Sequence, residues 1–125
     1  MALRFTFPLP MPQLNDVIRE TKQHWSKYAK SKKSHTEAIA FMARAQRFTP
    51  IEGEVDIMFF WRPKNMRTDP DNSVHAQKYI LDGLVTAGVI EGDGYKIIRV
   101  LQHEFLPPDK EDPRVEVVIV PRQKK

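Results

Sequence analysis

Apolar and polar residues alternate in "LRFTF" (residues 3–7), which predicts a short strand halted by Pro8, Pro10 and Pro12. A second alternation, "EVDIMFFW", puts Val55, Ile57, Phe59 and Trp61 on one face of a strand, and the polar loop "RPKNMRTDPD" follows it. Between the two, the stretch from Asp16 to Arg47 holds neither proline nor glycine. Ala38, Phe41, Met42 and Ala45 recur there at helical spacing, so its second half is predicted to be helix. The first half, Arg19 to Lys33, has few apolar residues and reads either as a loop or as an exposed helical extension.

A further helix is predicted to start at Asp69 or Asp71 and to stop before Gly88. Its apolar side runs through Val74, Gln77, Ile80, Leu81, Leu84 and Val85. After the turn-rich "GVIEGDG", the segments "YKIIRVLQHEF" and "RVEVVIV" read as strands joined through "LPPDKEDP", in the manner of an antiparallel hairpin. The resulting order β-α-β-α-β-β predicts an α/β (α+β) fold, a small mixed sheet of about four strands with two main helices, in a single domain spanning residues 1–125.

Composition narrows this without changing it. The absence of cysteine excludes a disulfide scaffold and a thiolate zinc site. No run approaches the roughly 18 apolar residues of a membrane span, and the opening "MALRFTFPLPMP" lacks the apolar stretch of a signal peptide. A soluble, cytoplasmic protein with no membrane partner is the expectation.

The charge is unevenly placed. Residues 1–50 carry nine Lys/Arg against three Asp/Glu, a net of +6, whereas residues 51–125 carry eleven against thirteen. The excess concentrates in "RETKQHWSKYAKSKK", where Trp25 and Tyr28 interleave with Lys22, Lys27, Lys30, Lys32 and Lys33. Such a segment suits a phosphate backbone, and Trp25 suits either an unpaired base or the core. A solvated helix face explains the lysines equally well.

Against that basic background stand three aspartates. Asp69 before Pro70 suits an N-cap with proline at N1, and Asp71 in the first turn suits the helix dipole. At about 100° per residue, Asp71, His75, Lys78 and Asp82 fall in one stripe, which is also what a row of solvent-exposed charge pairs would look like. Asp93, in "GDG", is either part of a tight turn or close enough to the helix start to join it. Asp69, Asp71 and Asp93 together would make a hard-oxygen site suited to Mg²⁺ or Mn²⁺. A divalent ion there would reverse the local sign and engage a scissile phosphate. Arg62, Lys64 and Arg67, just ahead of these acids, would then contact adjacent DNA backbone, or serve only as loop charges. His24, His35 and His103 show no ligand spacing and read as surface or core histidines.

"RTDPDN", the helix containing "ILDGLVTAGVIEGDG", and the following "IIRV" resemble the RusA family of Holliday-junction resolvases, particularly its phage-type members. "DxDN" alone is a weak signal. Joined to "LDGL", "AGV" and an aspartate eleven residues after Asp82, it is more specific. The resemblance is strong over residues 55–105 and weak over 13–47. It implies a homodimeric, Mg²⁺-dependent crossover junction endodeoxyribonuclease that makes paired nicks in a four-way DNA junction, acting in a bacterial host cell and encoded by phage or host.

By the same resemblance, Asp69, Asp71 and Asp93 match the catalytic metal-binding aspartates. The place of the family's functional lysine holds His75 here. Lys78, seven residues after Asp71 and projecting in nearly the same direction, is the candidate for that role. Asp82 matches a recurrent family aspartate, and its i,i+4 relation to Lys78 suggests support rather than ligation. Two other functions remain open: cleavage of flaps, nicks or other branched DNA on the same chemistry, and a nonenzymatic DNA-binding module in which the acids only cap and solubilise a helix.

Overall fold

The computed structural model describes residues 2–11, 32–67 and 69–122, without the side chains of residues 32–34 and 72. In chain order the elements are β1 (Leu3–Pro8), α1 (Lys32–Ala45), β2 (Val55–Arg62), α2 (Pro70–Val74), α3 (Gln77–Ala87), β3 (Ile98–Phe105) and β4 (Arg114–Pro121). They form a four-stranded mixed sheet in the order β1-β4-β2-β3. The predicted α+β class is therefore observed. Among the described residues, no helix is long and apolar enough to cross a membrane.

Alternation along the strands decides which face is covered. Val55, Ile57, Phe59 and Trp61 of β2 are fully buried, as their spacing predicts. Phe5 and Phe7 of β1 and Val115, Val117 and Ile119 of β4 join them on that face. Ile39 and Ala43 of α1 and Ile80 and Leu84 of α3 complete the core. Burying each of the larger side chains contributes about 1.5–3 kcal/mol. On α1, Ala38, Ile39, Ala40 and Ala43 are buried and Met42 packs against the core, while Phe41 is 41% exposed. Thr36 and Ile39 of this helix meet α3 at close range.

Gly83 is the matching surface on α3. A Cβ at this position would fall well inside contact with the Ile39 side chain and 3.1 Å from the Thr36 carbonyl oxygen. The helix ends as its sequence suggests, with Gly88 in the left-handed conformation at φ 86°. Its amide donates to the Val85 carbonyl, and the Val89 amide donates to that of Leu84.

The expected β3–β4 hairpin is not formed, because β2 lies between these strands, antiparallel to β4 and parallel to β3. Inserting a strand needs a connection spanning about 9.5 Å, twice the interstrand spacing. Residues 106–113 are long enough for that, and they are tied to the end of β2 on the way. The Leu106 amide donates to Trp61 O at 2.9 Å and the Asp109 amide to Pro63 O at 2.9 Å. At its far end Arg114 binds the Asp109 carboxylate at 2.9 Å, which holds that carboxyl below the usual aspartate value. The parallel β2–β3 pair requires a crossover, supplied by α2 and α3.

His103 has a structural task in this arrangement. Trp61, fully buried, donates from Nε1 to His103 Nδ1 at 3.0 Å. The imidazole Nε2 then carries the proton and donates to Gln77 Oε1 at 2.7 Å. Burial lowers the His103 pKa from its ordinary 6.5. As pH falls below 6.5, the unfolded chain takes up a proton that the folded imidazole resists, so this residue makes stability decline on acidification. His103→Leu is expected to lose about 1–3 kcal/mol, because the Trp61 N–H is left buried without a partner. Urea unfolding at several pH values checks both effects: the variant should be weaker at neutral pH and should lack the His103-linked decline below 6.5.

Candidate active site

The acidic segment begins where backbone geometry changes. Asp69 has φ −71° and ψ 148°, extended rather than helical, and Pro70 follows at N1. Its carbonyl accepts from the Ser73 amide at 3.2 Å. Its carboxylate makes no capping bond, contrary to the expected N-cap role for this side chain. Asp71, also exposed, sits in the first turn of α2, and its backbone carbonyl accepts from the His75 amide at 3.1 Å.

The single expected helix is two helices. α2 ends at Val74 and α3 begins at Gln77, with His75 and Ala76 retaining right-handed dihedrals. At the joint the Ala76 amide bonds Ser73 O at 3.0 Å, a tighter three-residue closure. Because the backbone stays near helical, Asp71, His75 and Lys78 remain neighbours and line one open groove of about 410 Å³ with Gln77 and Tyr79.

Lys78 organises the second half of the site. Its Nζ lies 3.3 Å from Asp82 Oδ1 and 3.7 Å from Asp93 Oδ2. The first is the expected i,i+4 contact. The second shows that the 88–97 connection does return Asp93 to the first turn of α3. The Asp82 hydrogen bond and charge, then the Asp93 charge, hold the ammonium above the ordinary lysine value of 10.5. These contacts favour the folded chain while Lys78 is protonated and the two carboxylates are ionised, and at the alkaline end they fade as pH rises through the raised lysine value.

Among the described residues, no three histidine, aspartate or glutamate side chains are placed to hold a metal ion. The donor chemistry nevertheless suits magnesium, which usually binds one or two carboxylates and takes its remaining positions from water and phosphate. Asp69 and Asp71 offer two such oxygens with no helix-capping bond on the first.

Of the basic residues ahead of the site, Lys64 and Arg67 are exposed on the loop after β2. Arg62 is more constrained, donating from Nη1 to Pro107 O at 3.1 Å. Lys27, Lys30, Trp25 and Tyr28 lie outside the described residues, as do the side chains of Lys32 and Lys33 at the start of α1. Two features had no signal in the sequence: the Trp61–His103–Gln77 chain, and an apolar cavity bordering the groove. Each joins elements whose adjacency follows from the sheet order rather than from local spacing.

No protein-family model matches this chain, and no curated protein does.

Proposed function

We propose that the chain is a RusA-like endodeoxyribonuclease that resolves four-way DNA junctions by paired symmetric nicks, as a homodimer in the bacterial cytoplasm. The observation that supports this most is the shared groove. Asp71 and Lys78 line it, Asp93 meets it through Lys78, and the Asp69 carboxylate just ahead is free of capping. A helix that needed these acids only for its own start would engage Asp69 as a cap.

Asp69, Asp71 and Asp93 are the residues that would hold magnesium, with manganese as a substitute, and the ion would supply Lewis acidity and an activated water. Lys78, protonated across any practical assay range, is suited to donate to non-bridging phosphate oxygens where charge develops. Asp82 aims it, through the 3.3 Å contact. Lys64 and Arg67 are suited to adjacent phosphates. Two strands must be cut symmetrically, and a two-fold dimer with one site per subunit does this most economically. Sedimentation at micromolar concentration should therefore show a dimer.

The decisive experiment compares a labelled four-way junction, a linear duplex and a flap, in Mg²⁺, Mn²⁺ or chelator. Paired symmetric nicks confined to the junction and dependent on metal are expected. Preferential flap cutting would keep the site and redirect the function. Tight binding without cutting in any condition would favour the nonenzymatic module.

The lysine assignment has its own test. Lys78→Ala is expected to slow cleavage about 10²-fold, while His75→Ala, which removes only an exposed side chain at the helix joint, leaves most of the rate. Cleavage rates of the two variants under saturating junction check this, and the opposite pattern would transfer the role to His75.

A further inference from the structure

A second recess of different character borders the acidic groove. Its volume is about 310 Å³, near the lower bound of the 300–1,000 Å³ common for ligand sites. Leu9, Pro10 and Met11 after β1 and Pro113 before β4 supply apolar lining, Tyr79 adds an aromatic ring, and the fully buried Trp61 lies beneath them. Among the described residues that line it, the only fully charged side chain is Lys64. His75 and Tyr79 line both this cavity and the groove that holds Asp71 and Lys78, so the two share a border.

We propose that the cavity receives one unstacked nucleobase from a DNA strand whose phosphates follow the adjoining groove, an inference that rests on the endonuclease reading. The lining carries the argument. Predominantly apolar walls with the Tyr79 ring among them suit an uncharged, planar guest and disfavour a phosphate or a sugar. The Tyr79 ring is braced, its centroid 4.8 Å from that of His35. The N–H of Trp61 is already engaged by His103 and is not available to a guest. Lys64 lines the cavity, and Arg67 on the same loop is exposed, which provides cations for the phosphates on either side of an extruded base. A branch point is where such extrusion is easiest, since stacking is already interrupted there.

The test uses the full chain in chelator, with a four-way junction carrying 2-aminopurine at each position around the crossover in turn. A protein-dependent fluorescence change confined to one position is expected. It should vanish in Ser73→Trp, which fills the cavity from α2, and in Tyr79→Leu, which removes the ring. Junction binding by both variants should weaken about tenfold, with circular dichroism confirming that they fold. If wild type cuts the junction in Mg²⁺ but fluorescence changes nowhere or everywhere alike, the inference fails while the endonuclease reading stands. It fails equally if Ser73→Trp or Tyr79→Leu keeps the localised signal, and the cavity would then belong to another ligand. If wild type binds no DNA of any form, the endonuclease reading and the nucleobase site fall together.

Discussion

Asp71→Asn is expected to reduce junction cleavage by about 10²–10³-fold while leaving junction binding intact or tighter. The substitution keeps the shape of the side chain and removes its charge. The Asp71 backbone carbonyl still accepts from the His75 amide, so the first turn of α2 is preserved. Only a small favourable interaction with the helix dipole is lost. A phosphate lying in the groove would meet one negative charge fewer, which is why affinity should not fall. Nicking rates in Mg²⁺, set beside dissociation constants in chelator, separate the two quantities. A variant that cuts at the wild-type rate would remove Asp71 from the site. One that neither binds nor melts cooperatively would mean that the residue serves the fold.

The second large effect concerns stability. Gly83→Ala is expected to destabilise the chain by about 2 kcal/mol, even though alanine is the better helix former by about 1 kcal/mol. Overpacking a core commonly costs about 1–3 kcal/mol, and here relief is hard to find. The added methyl would meet the branched Cβ of Ile39 and the Thr36 carbonyl, neither of which can move aside by changing rotamer. α1 and α3 would have to separate, opening the contacts between them. Urea unfolding should show the lower midpoint. In an Ile39→Ala background the same substitution should be less harmful, since part of the opposing side chain is gone. Unchanged or raised stability in Gly83→Ala would mean that the two helices slide apart freely.

Much of this architecture is legible in the sequence because local patterns and burial agree. The four inward residues of β2 and the Lys78–Asp82 contact follow from periods of two and of 3.6 residues, and the stop at Gly88 follows from glycine's tolerance of the left-handed conformation. The interruption at His75 and Ala76 is not legible: no glycine or proline marks it, and both residues keep helical dihedrals. The expected β3–β4 hairpin fails because sequence neighbours, the natural first guess for sheet neighbours, are separated here. β2 takes the place beside β4, with residues 106–113 passing over its end. For α1, spacing identifies the helix but not the close approach of Ile39 to α3, since that depends on Gly83 of another element. The carboxylates are legible as residues, and Asp93 does approach α3. Whether all three meet one ion depends on contacts that the motif spacing does not contain.

The position of β4 has a consequence for biosynthesis. It pairs with β1 on one side and β2 on the other, so the sheet is joined through a strand near the end of the described chain. At translation rates of about 5–20 residues per second, β2, the helices and β3 emerge while the place beside β2 is still vacant. Nascent chains stalled before residue 114 would present the unpaired edges of β1 and β2 together, open to chaperones or to one another. Emergence of the eight-residue β4 from the ribosome is the event that joins the two halves of the sheet.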